Sequence, residues 1–262
     1  MSLNNHPVDN TEKIGLQLNY LWPNLLTTGG LFAGYYAIVS AMNSNFTQAA
    51  VSIFVAMLLD GLDGRIARLT NSSSEFGSQY DSLADAVSFG VAPALVSLSW
   101  ALHSLGKIGW AISFVYVAAA TLRLARFNCK LDKENPTSKY FTGLPSPSAA
   151  GSIAGLIWVM DYFNIQPDFY ITLASSIFVV IIGLLMVSNV PYYSFKELNV
   201  KRTIPFLVLF IIAVTYAFIA TNPAICLFAI FTIYSLSGVC IYVWQQTKRL
   251  LSVKKPSTPS NI

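Results

Sequence analysis

The chain has 262 residues, of which 54% are hydrophobic and only 11% carry a charge. Ordinary globular domains contain about 25% charged residues, so too few charges remain here to cover a water-soluble particle. The composition excludes a soluble enzyme, a disordered protein and a disulfide scaffold, and it indicates a polytopic membrane protein.

Neither the ends of the chain nor its cysteines indicate a particular function. The first 24 residues are polar and lack the apolar core and cleavage pattern of a signal peptide. Three scattered cysteines, Cys129, Cys226 and Cys240, form neither a disulfide framework nor a zinc motif. The net charge of +4 is not concentrated in a basic run interleaved with aromatic residues, so we expect no nucleic acid partner.

Apolar segments long enough to cross a bilayer, which takes about 20 residues, follow one another from residue 25 to residue 246. The sequence therefore predicts an all-α bundle of about eight transmembrane helices. The predicted segments are Leu25–Met42, Gln48–Leu69, Ser78–Leu102, Ile108–Phe127, Pro147–Phe163, Tyr170–Ser188, Ile204–Ala220 and Ala224–Gln246.

The basic residues predict the orientation of this bundle. With a cytoplasmic N-terminus, every lysine and arginine except Lys107 falls on or near the cytoplasmic side, in agreement with the positive-inside rule. We therefore expect an integral protein of the inner membrane with both termini in the cytoplasm. The predicted division is a polar segment over 1–24, a membrane domain over 25–246 and a flexible basic tail over 247–262 that lies near anionic lipids.

Two pairs of glycines have the spacing that lets membrane helices approach closely. They are Gly30 with Gly34 and Gly151 with Gly155. Close packing inside the bundle explains them, and so does the seam of a homodimer, which we also expect.

Four of the twelve acidic residues lie within 26 positions, at the ends of the second and third predicted helices. They are Asp60, Asp63, Asp81 and Asp85. An unpaired charge inside a membrane costs at least about 2.5 kcal/mol. Helical periodicity places Asp60 and Asp63 on one face of the second helix, and Asp81 and Asp85 on one face of the third. A short serine-rich turn joins the helices, so the two pairs are expected to face each other.

Converging carboxylates repel one another unless cations lie between them. Carboxylate oxygens on rigid helices suit Mg²⁺ or Mn²⁺, and four carboxylates are enough to hold two such ions. Gly64, Ala67 and Arg68 share the face of Asp60 and Asp63, where small side chains expose the backbone and a guanidinium can pair with phosphate. The pattern therefore predicts a two-metal site for a nucleotide diphosphate.

The run from Asp60 to Arg68, followed by Gly77, Asp81 and Asp85, resembles the signature of the CDP-alcohol phosphotransferase family. The stretches 81–93, 123–128 and 141–147 resemble the phosphatidylserine synthases of that family, and Pro23–Thr27 resembles the start of its first core helix.

The resemblance implies a role for each position of the signature. Asp60, Asp63, Asp81 and Asp85 would bind two divalent ions, Mn²⁺ or Mg²⁺, and Asp85 would also be the general base. The residues that would line the cytidine diphosphate pocket are Gly64, Ala67, Arg68 and Gly77. The implied reaction is attack of the hydroxyl of L-serine on CDP-diacylglycerol, which gives phosphatidylserine and CMP.

Basic and polar residues at the cytoplasmic end of the fourth predicted helix are candidates for binding serine or a lipid phosphate. They are Arg123, Arg126 and Asn128, joined by Ser146 between two prolines at the start of the fifth helix. An arginine cluster suits a carboxylate or a phosphate. Arginines at cytoplasmic helix ends can also serve only as topological anchors.

Two other functions remain open from the sequence. One is a family member that uses glycerol 3-phosphate or inositol phosphate, for which we expect more basic residues. The other is a cation transporter, which needs polar residues across the whole bilayer, whereas 49–57 and 91–98 are almost wholly apolar.

Overall fold

The computed structural model describes residues 10–70, 72, 74–131, 140–193, 214 and 220–253. This part of the chain is helical apart from one short two-stranded ladder. The helices are α1 (Asn10–Met42), α2 (Phe46–Leu69), α3 (Glu75–Asp85), α4 (Ala92–Trp100), α5 (Lys107–Leu131), α6 (Ser146–Tyr162), α7 (Phe169–Val187) and α8 (Pro223–Val253). The all-α prediction holds except for the ladder.

Among the described residues, five helical segments have the length and apolar composition of a membrane span. They are Leu21–Met42, Glu75–Trp100, Lys107–Cys129, Phe169–Val187 and Pro223–Gln245. The protein is therefore a polytopic membrane helix bundle. The predicted segment Ile204–Ala220 lies almost entirely outside the described residues.

The helix ends differ from the predicted domain limits. Helix α1 begins at Asn10 and continues through the expected boundary at residue 24, while α8 continues past residue 246 to Val253. With a rise of about 1.5 Å per residue, the 31 residues of α8 extend over about 46 Å, well beyond the apolar core of a bilayer.

Small residues let the helices of the bundle approach one another closely. Helix α1 packs along α2, where Ala37, Ala49 and Ala50 are fully buried. A Cβ atom at Gly34 would collide with Ser88. Gly151 and Gly155 of α6 likewise receive Phe231 and Phe228 of α8. Packing inside the bundle therefore accounts for these glycines.

One continuous helical segment contains α3 and α4, which a π-helical turn over Ala86–Val91 joins. Pro93 has no N–H group, so it cannot donate to the carbonyl of Phe89, its partner in a regular α-helix. The hydroxyl of the fully buried Tyr116 on α5 donates to that carbonyl instead, at 3.1 Å. The turn thus fixes α5 beside the segment that follows Asp85.

The ladder pairs the segment after α5 with the segment after α7. Strands β1 (Tyr140–Thr142) and β2 (Pro191–Tyr193) are antiparallel. Gly143 follows with a φ of 84°, and a side chain there would collide with the carbonyl of Met186. Periodicity could not predict strands of only three residues. Pro145 and Pro147 flank the first residue of α6 as expected.

The variant Tyr116→Phe tests the role of the π-helical turn in stability. It leaves the carbonyl of Phe89 buried without its hydroxyl donor, so we expect a loss of about 1–3 kcal/mol in the free energy of unfolding. The measurement is thermal unfolding in detergent, with Tyr242→Phe at a partly exposed position of α8 as the control. An unchanged midpoint in Tyr116→Phe would contradict this assignment.

Candidate active site

Three aspartates from two helices meet in one cluster. Asp60 and Asp63 lie on α2, Asp81 lies on α3, and one carboxylate oxygen of each lies within 4.8 Å of the others. Asp63 is almost completely buried, and Asp60 and Asp81 are partly buried. The expected convergence of the two helical faces is thus confirmed for these three residues.

Asp85 joins the same cavity one turn further along α3. The cavity has an empty volume of about 190 Å³ and lies between α1, α2 and α3 together with the π-helical turn. Thr27, Gly30, Ser88 and Phe89 contribute to its wall beside the four aspartates. The volume suits small ions with water rather than a nucleotide.

The cluster fits divalent cations by the chemistry of its atoms. Like charges held this close in a partly buried site repel one another strongly, and each of the three aspartates offers a carboxylate oxygen to the cluster. Mg²⁺ and Mn²⁺ prefer such oxygen ligands. An acidic cluster of this kind is therefore compatible with a metal site.

Thr27 supports the cluster from α1, although no role for it follows from the sequence. Its hydroxyl oxygen lies 2.6 Å from Oδ2 of Asp63 and 3.0 Å from the carbonyl of Pro23. The hydrogen bond fixes one oxygen of the carboxylate and leaves the other for a ligand. Two adjacent threonines in an otherwise apolar stretch are the signal in the sequence that could have pointed to this contact.

A second and larger cavity opens beside the cluster. Its empty volume of about 540 Å³ is larger than the 190 Å³ of the first cavity. Asp63 and Asp81 belong to both cavities. The other residues that line the larger cavity are Pro23, Asn24, Thr27, Gly64, Ala67, Ser72, Ser74, Gly77 and Ser78.

Three of the four residues expected around the cytidine diphosphate lie in this cavity. A Cβ atom on Gly64 would meet no atom within 4 Å, so the cavity reaches the backbone of α2. Gly77 lies at the first turn of α3, where its N–H donates to Oγ of Ser74 at 3.0 Å. Arg68, the fourth, is exposed at the last turn of α2 and does not line the cavity.

Arg123 and Ser146, two of the four candidates for the acceptor side, are in direct contact. Nη1 of Arg123 on α5 donates to Oγ of the fully buried Ser146 on α6, at 2.8 Å. Arg123 also lies close enough to Asp85 for an electrostatic interaction. Neither residue lines the aspartate cavity, but the hydrogen bond joins α5 to the start of α6 on the side of Asp85.

The other two acceptor-side candidates connect helix ends. Nη2 of the half-buried Arg126 donates to Oδ1 of Asn189 at 2.7 Å, and its Nη1 donates to the carbonyl of Val187 at 3.4 Å. Nδ2 of Asn128 donates to Oγ of Ser82, the residue after Asp81, at 3.0 Å. Arg126 thus ties α5 to the end of α7, and Asn128 ties α5 to α3.

The chain matches a known family over most of the bundle. The model of the family described as CDP-alcohol phosphatidyltransferase matches residues 20–187, which include both cavities. This segment contains α2 to α7 and most of α1.

Curated relatives extend the similarity towards the chain ends. The CDP-diacylglycerol–serine O-phosphatidyltransferase of Helicobacter pylori is 35% identical over 236 residues, which are 90% of this chain and 97% of that protein. The protein of the same name from Mycobacterium tuberculosis is 32% identical and covers 84% of this chain and 77% of its own. The Bacillus subtilis protein of that name is 37% identical over 69% of this chain and 93% of its own. The chain therefore belongs to the CDP-alcohol phosphatidyltransferase family.

Proposed function

We propose that this protein transfers the phosphatidyl group of CDP-diacylglycerol to the hydroxyl of L-serine and so forms phosphatidylserine and CMP. The observation that carries the proposal is the aspartate cluster, which shares Asp63 and Asp81 with a larger cavity beside it. The curated relatives that cover most of the chain are named for this reaction, and they support the choice of donor and acceptor.

The four aspartates would hold two divalent ions, Mn²⁺ or Mg²⁺. Bound there, the ions would supply positive charge that neutralises the pyrophosphate of the donor and the departing CMP. Asp63 and Asp81 border both cavities, so their carboxylates lie between the ion site and the nucleotide site. Thr27 keeps the carboxylate of Asp63 in place through its hydrogen bond.

The larger cavity would receive the cytidine diphosphate of the donor. Gly64 leaves room for the flat ligand against α2, and Gly77 keeps the start of α3 open. Asn24, Ser74 and Ser78 place polar side chains around the cavity that can bind the base or the ribose. Arg68 remains a candidate for binding the phosphates, because its side chain would reach them from the exposed end of α2.

The acceptor would lie on the side of Asp85 and Arg123. A serine carboxylate paired with the guanidinium of Arg123 leaves the serine hydroxyl, two carbon atoms away, near Asp85. Asp85 accepts the hydroxyl proton while the serine oxygen forms a bond to the phosphorus that bears the lipid. The bond from that phosphorus to the oxygen of CMP breaks, and CMP leaves.

Asn128, Arg126 and Ser146 would frame this acceptor pocket. Ser146 fixes Arg123, whereas Asn128 and Arg126 hold the surrounding helix ends together. Arg126 already donates to Val187 and Asn189, so its guanidinium has fewer donors to offer a substrate.

The site would face the cytoplasm of a bacterial inner membrane. Arg65, Arg68, Arg123 and Arg126 belong to the helix ends on the aspartate side, and Lys107 belongs to the opposite end of α5. This distribution agrees with the positive-inside rule. Helices α2 and α6 would then also cross the bilayer, with the predicted segment 204–220 as the eighth span. Both termini would be cytoplasmic, and a homodimer stays a prediction.

The direct test of the reaction follows CMP release by the purified protein with CDP-diacylglycerol and Mn²⁺. We expect release that depends on L-serine, that stops when EDTA removes the ions, and that returns with Mn²⁺ or Mg²⁺. Glycerol 3-phosphate and inositol phosphate are the comparison acceptors. CMP release with either of these acceptors and none with serine would contradict the proposed acceptor. Transport of Mn²⁺ across the membrane without CMP release would contradict the proposed reaction class.

The variants Asp60→Asn and Asp81→Asn test the ion site. Each removes one charge from a cluster whose other carboxylates remain close, so we expect turnover to fall at least about a hundredfold with the fold intact. The matched control is Asp161→Asn, because Asp161 accepts hydrogen bonds from Thr47 outside both cavities. Near-full activity with unchanged metal dependence in either cluster variant would contradict the site.

The variant Gly64→Val tests the nucleotide cavity. The added side chain projects into open space in the cavity, so we expect the KM for CDP-diacylglycerol to rise at least about tenfold, which corresponds to roughly 1.4 kcal/mol. Gly61→Val is the control, since Gly61 lies one turn earlier on α2 and does not line the cavity. Equal effects of the two variants on this KM would place the nucleotide elsewhere.

A further inference from the structure

Adjacent threonines on α1 bind two different helices beside the larger cavity. Thr27 contacts Asp63 on α2, whereas the hydroxyl oxygen of Thr28 lies 2.9 Å from the phenol oxygen of Tyr80 on α3. Between Leu21–Met42 of α1 and the whole of α3, the described residues show no other hydrogen bond. The contact of Thr28 with Tyr80 is therefore the polar link between two helices that form walls of this cavity.

The direction of this hydrogen bond follows from the second contact of Thr28. Its hydroxyl oxygen also lies 2.7 Å from the carbonyl of Asn24, one turn earlier on α1, and a carbonyl can only accept. A hydroxyl has one hydrogen atom, so Thr28 donates to Asn24 and accepts from Tyr80. The phenol group of Tyr80 is thus linked, through Thr28, to the backbone of a residue that lines the cavity.

Neither Thr28 nor Tyr80 lines the larger cavity, but the residues about one turn before each of them do. Asn24 precedes Thr28 on α1, and Gly77 precedes Tyr80 on α3. A Cβ atom on Gly77 would lie 3.4 Å from Oδ1 of Asn24, so the two helices converge at this wall. The hydrogen bond of Tyr80 therefore holds together the wall that Asn24 and Gly77 form.

The ring of Phe76 restricts the orientation of Tyr80. The two rings are stacked on α3, with their centroids 6.1 Å apart and an angle of 12° between their planes. A side chain that is already ordered loses less conformational entropy when it makes a further contact. Stacking on Phe76 therefore favours the hydrogen bond of Tyr80 with Thr28.

We propose that Tyr80 is a positioning residue for the nucleotide of the donor. Its hydrogen bond to Thr28 keeps α1 against α3, and this spacing sets the shape of the cavity that receives the cytidine diphosphate. The inference rests on the proposed function, because that function assigns the larger cavity to the nucleotide. It adds a residue that lines neither cavity and yet controls the affinity for the donor.

The first experiment measures CMP binding to the full-length protein in detergent with Mn²⁺ and without serine, by isothermal titration calorimetry. CMP shares the nucleotide of the donor and has no acyl chains. Tyr80→Phe keeps the ring beside Phe76 and removes only the hydroxyl. We expect the Kd for CMP to rise roughly three- to tenfold, the range for loss of one hydrogen bond between neutral groups. The KM for CDP-diacylglycerol should rise by a similar factor, and the serine KM at saturating donor should not change.

Tyr36→Phe is the matched control for this measurement. The hydroxyl of Tyr36 on α1 also joins two helices, because it donates to Oε1 of Gln48 on α2 at 3.5 Å, and neither residue lines a cavity of the site. We expect wild-type CMP binding in this variant. An equal rise of the Kd in Tyr36→Phe and Tyr80→Phe would overturn the inference, since any contact between helices would then have the same effect.

Variants of Thr28 separate positioning from a general effect of the tyrosine. Thr28→Val removes the accepting hydroxyl at nearly constant volume, so it should raise the Kd for CMP as Tyr80→Phe does. The double variant should differ from either single variant by no more than about twofold, because both substitutions remove the same bond. Thr28→Ser keeps the hydroxyl and should bind CMP as the wild type does.

Three results would overturn the inference. The first is an unchanged Kd for CMP in Tyr80→Phe, and the second is additive effects of Tyr80→Phe and Thr28→Val. The third is a higher KM for CDP-diacylglycerol with an unchanged Kd for CMP, because Tyr80 would then act on the acyl chains of the donor.

The wild-type protein distinguishes this inference from the function on which it rests. Absence of CMP binding in the wild type contradicts the proposed function and the inference together. CMP binding that is equal in the wild type and in Tyr80→Phe contradicts the inference alone. CMP binding that Tyr80→Phe weakens, without serine-dependent CMP release by the wild type, supports the inference and contradicts the proposed acceptor.

Discussion

Repulsion between aspartates brought together from two membrane helices is the constraint on which the rest of this structure depends. Asp60, Asp63 and Asp81 place carboxylate oxygens within 4.8 Å of one another, in a chain with few charges in its helices. Such an arrangement is costly unless positive charge enters the cluster. This cost supports the proposal that cations enter the cluster, where they would also attract a ligand with a pyrophosphate group.

The packing around the cluster serves to hold the two helices at this distance. Helix α1 packs against both α2 and α3, and Thr27 on α1 bonds directly to Asp63. Gly34 admits Ser88 from the π-helical turn, which keeps α1 close to the segment that follows Asp85. A rigid framework of small residues thus replaces the wide polar shell that a soluble protein would place around such charges.

The two halves of the site have different structural origins. The proposed donor half is the larger cavity, whose residues belong to α1, α2 and α3 and the turn between α2 and α3 and lie within the part matched by the family. The proposed acceptor half would use Arg123 of α5 and Ser146 of α6, which come from distant parts of the chain.

The sequence by itself determined the membrane class, the helical fold and the aspartate cluster. Local periodicity is sufficient for these features, because each pair of aspartates lies on one helix and a short turn joins the two helices. Gly64 and Ala67 followed from the same pattern and Gly77 from the family resemblance, and all three line one cavity. Only the tertiary structure gave different partners to Arg123 and Arg126, which are a single turn apart on α5. Their partners, Ser146 on one side and Val187 with Asn189 on the other, come from distant segments. Periodicity does not encode packing between distant segments. Such packing also produced the contact of Thr27 with Asp63, the ladder and the position of α8.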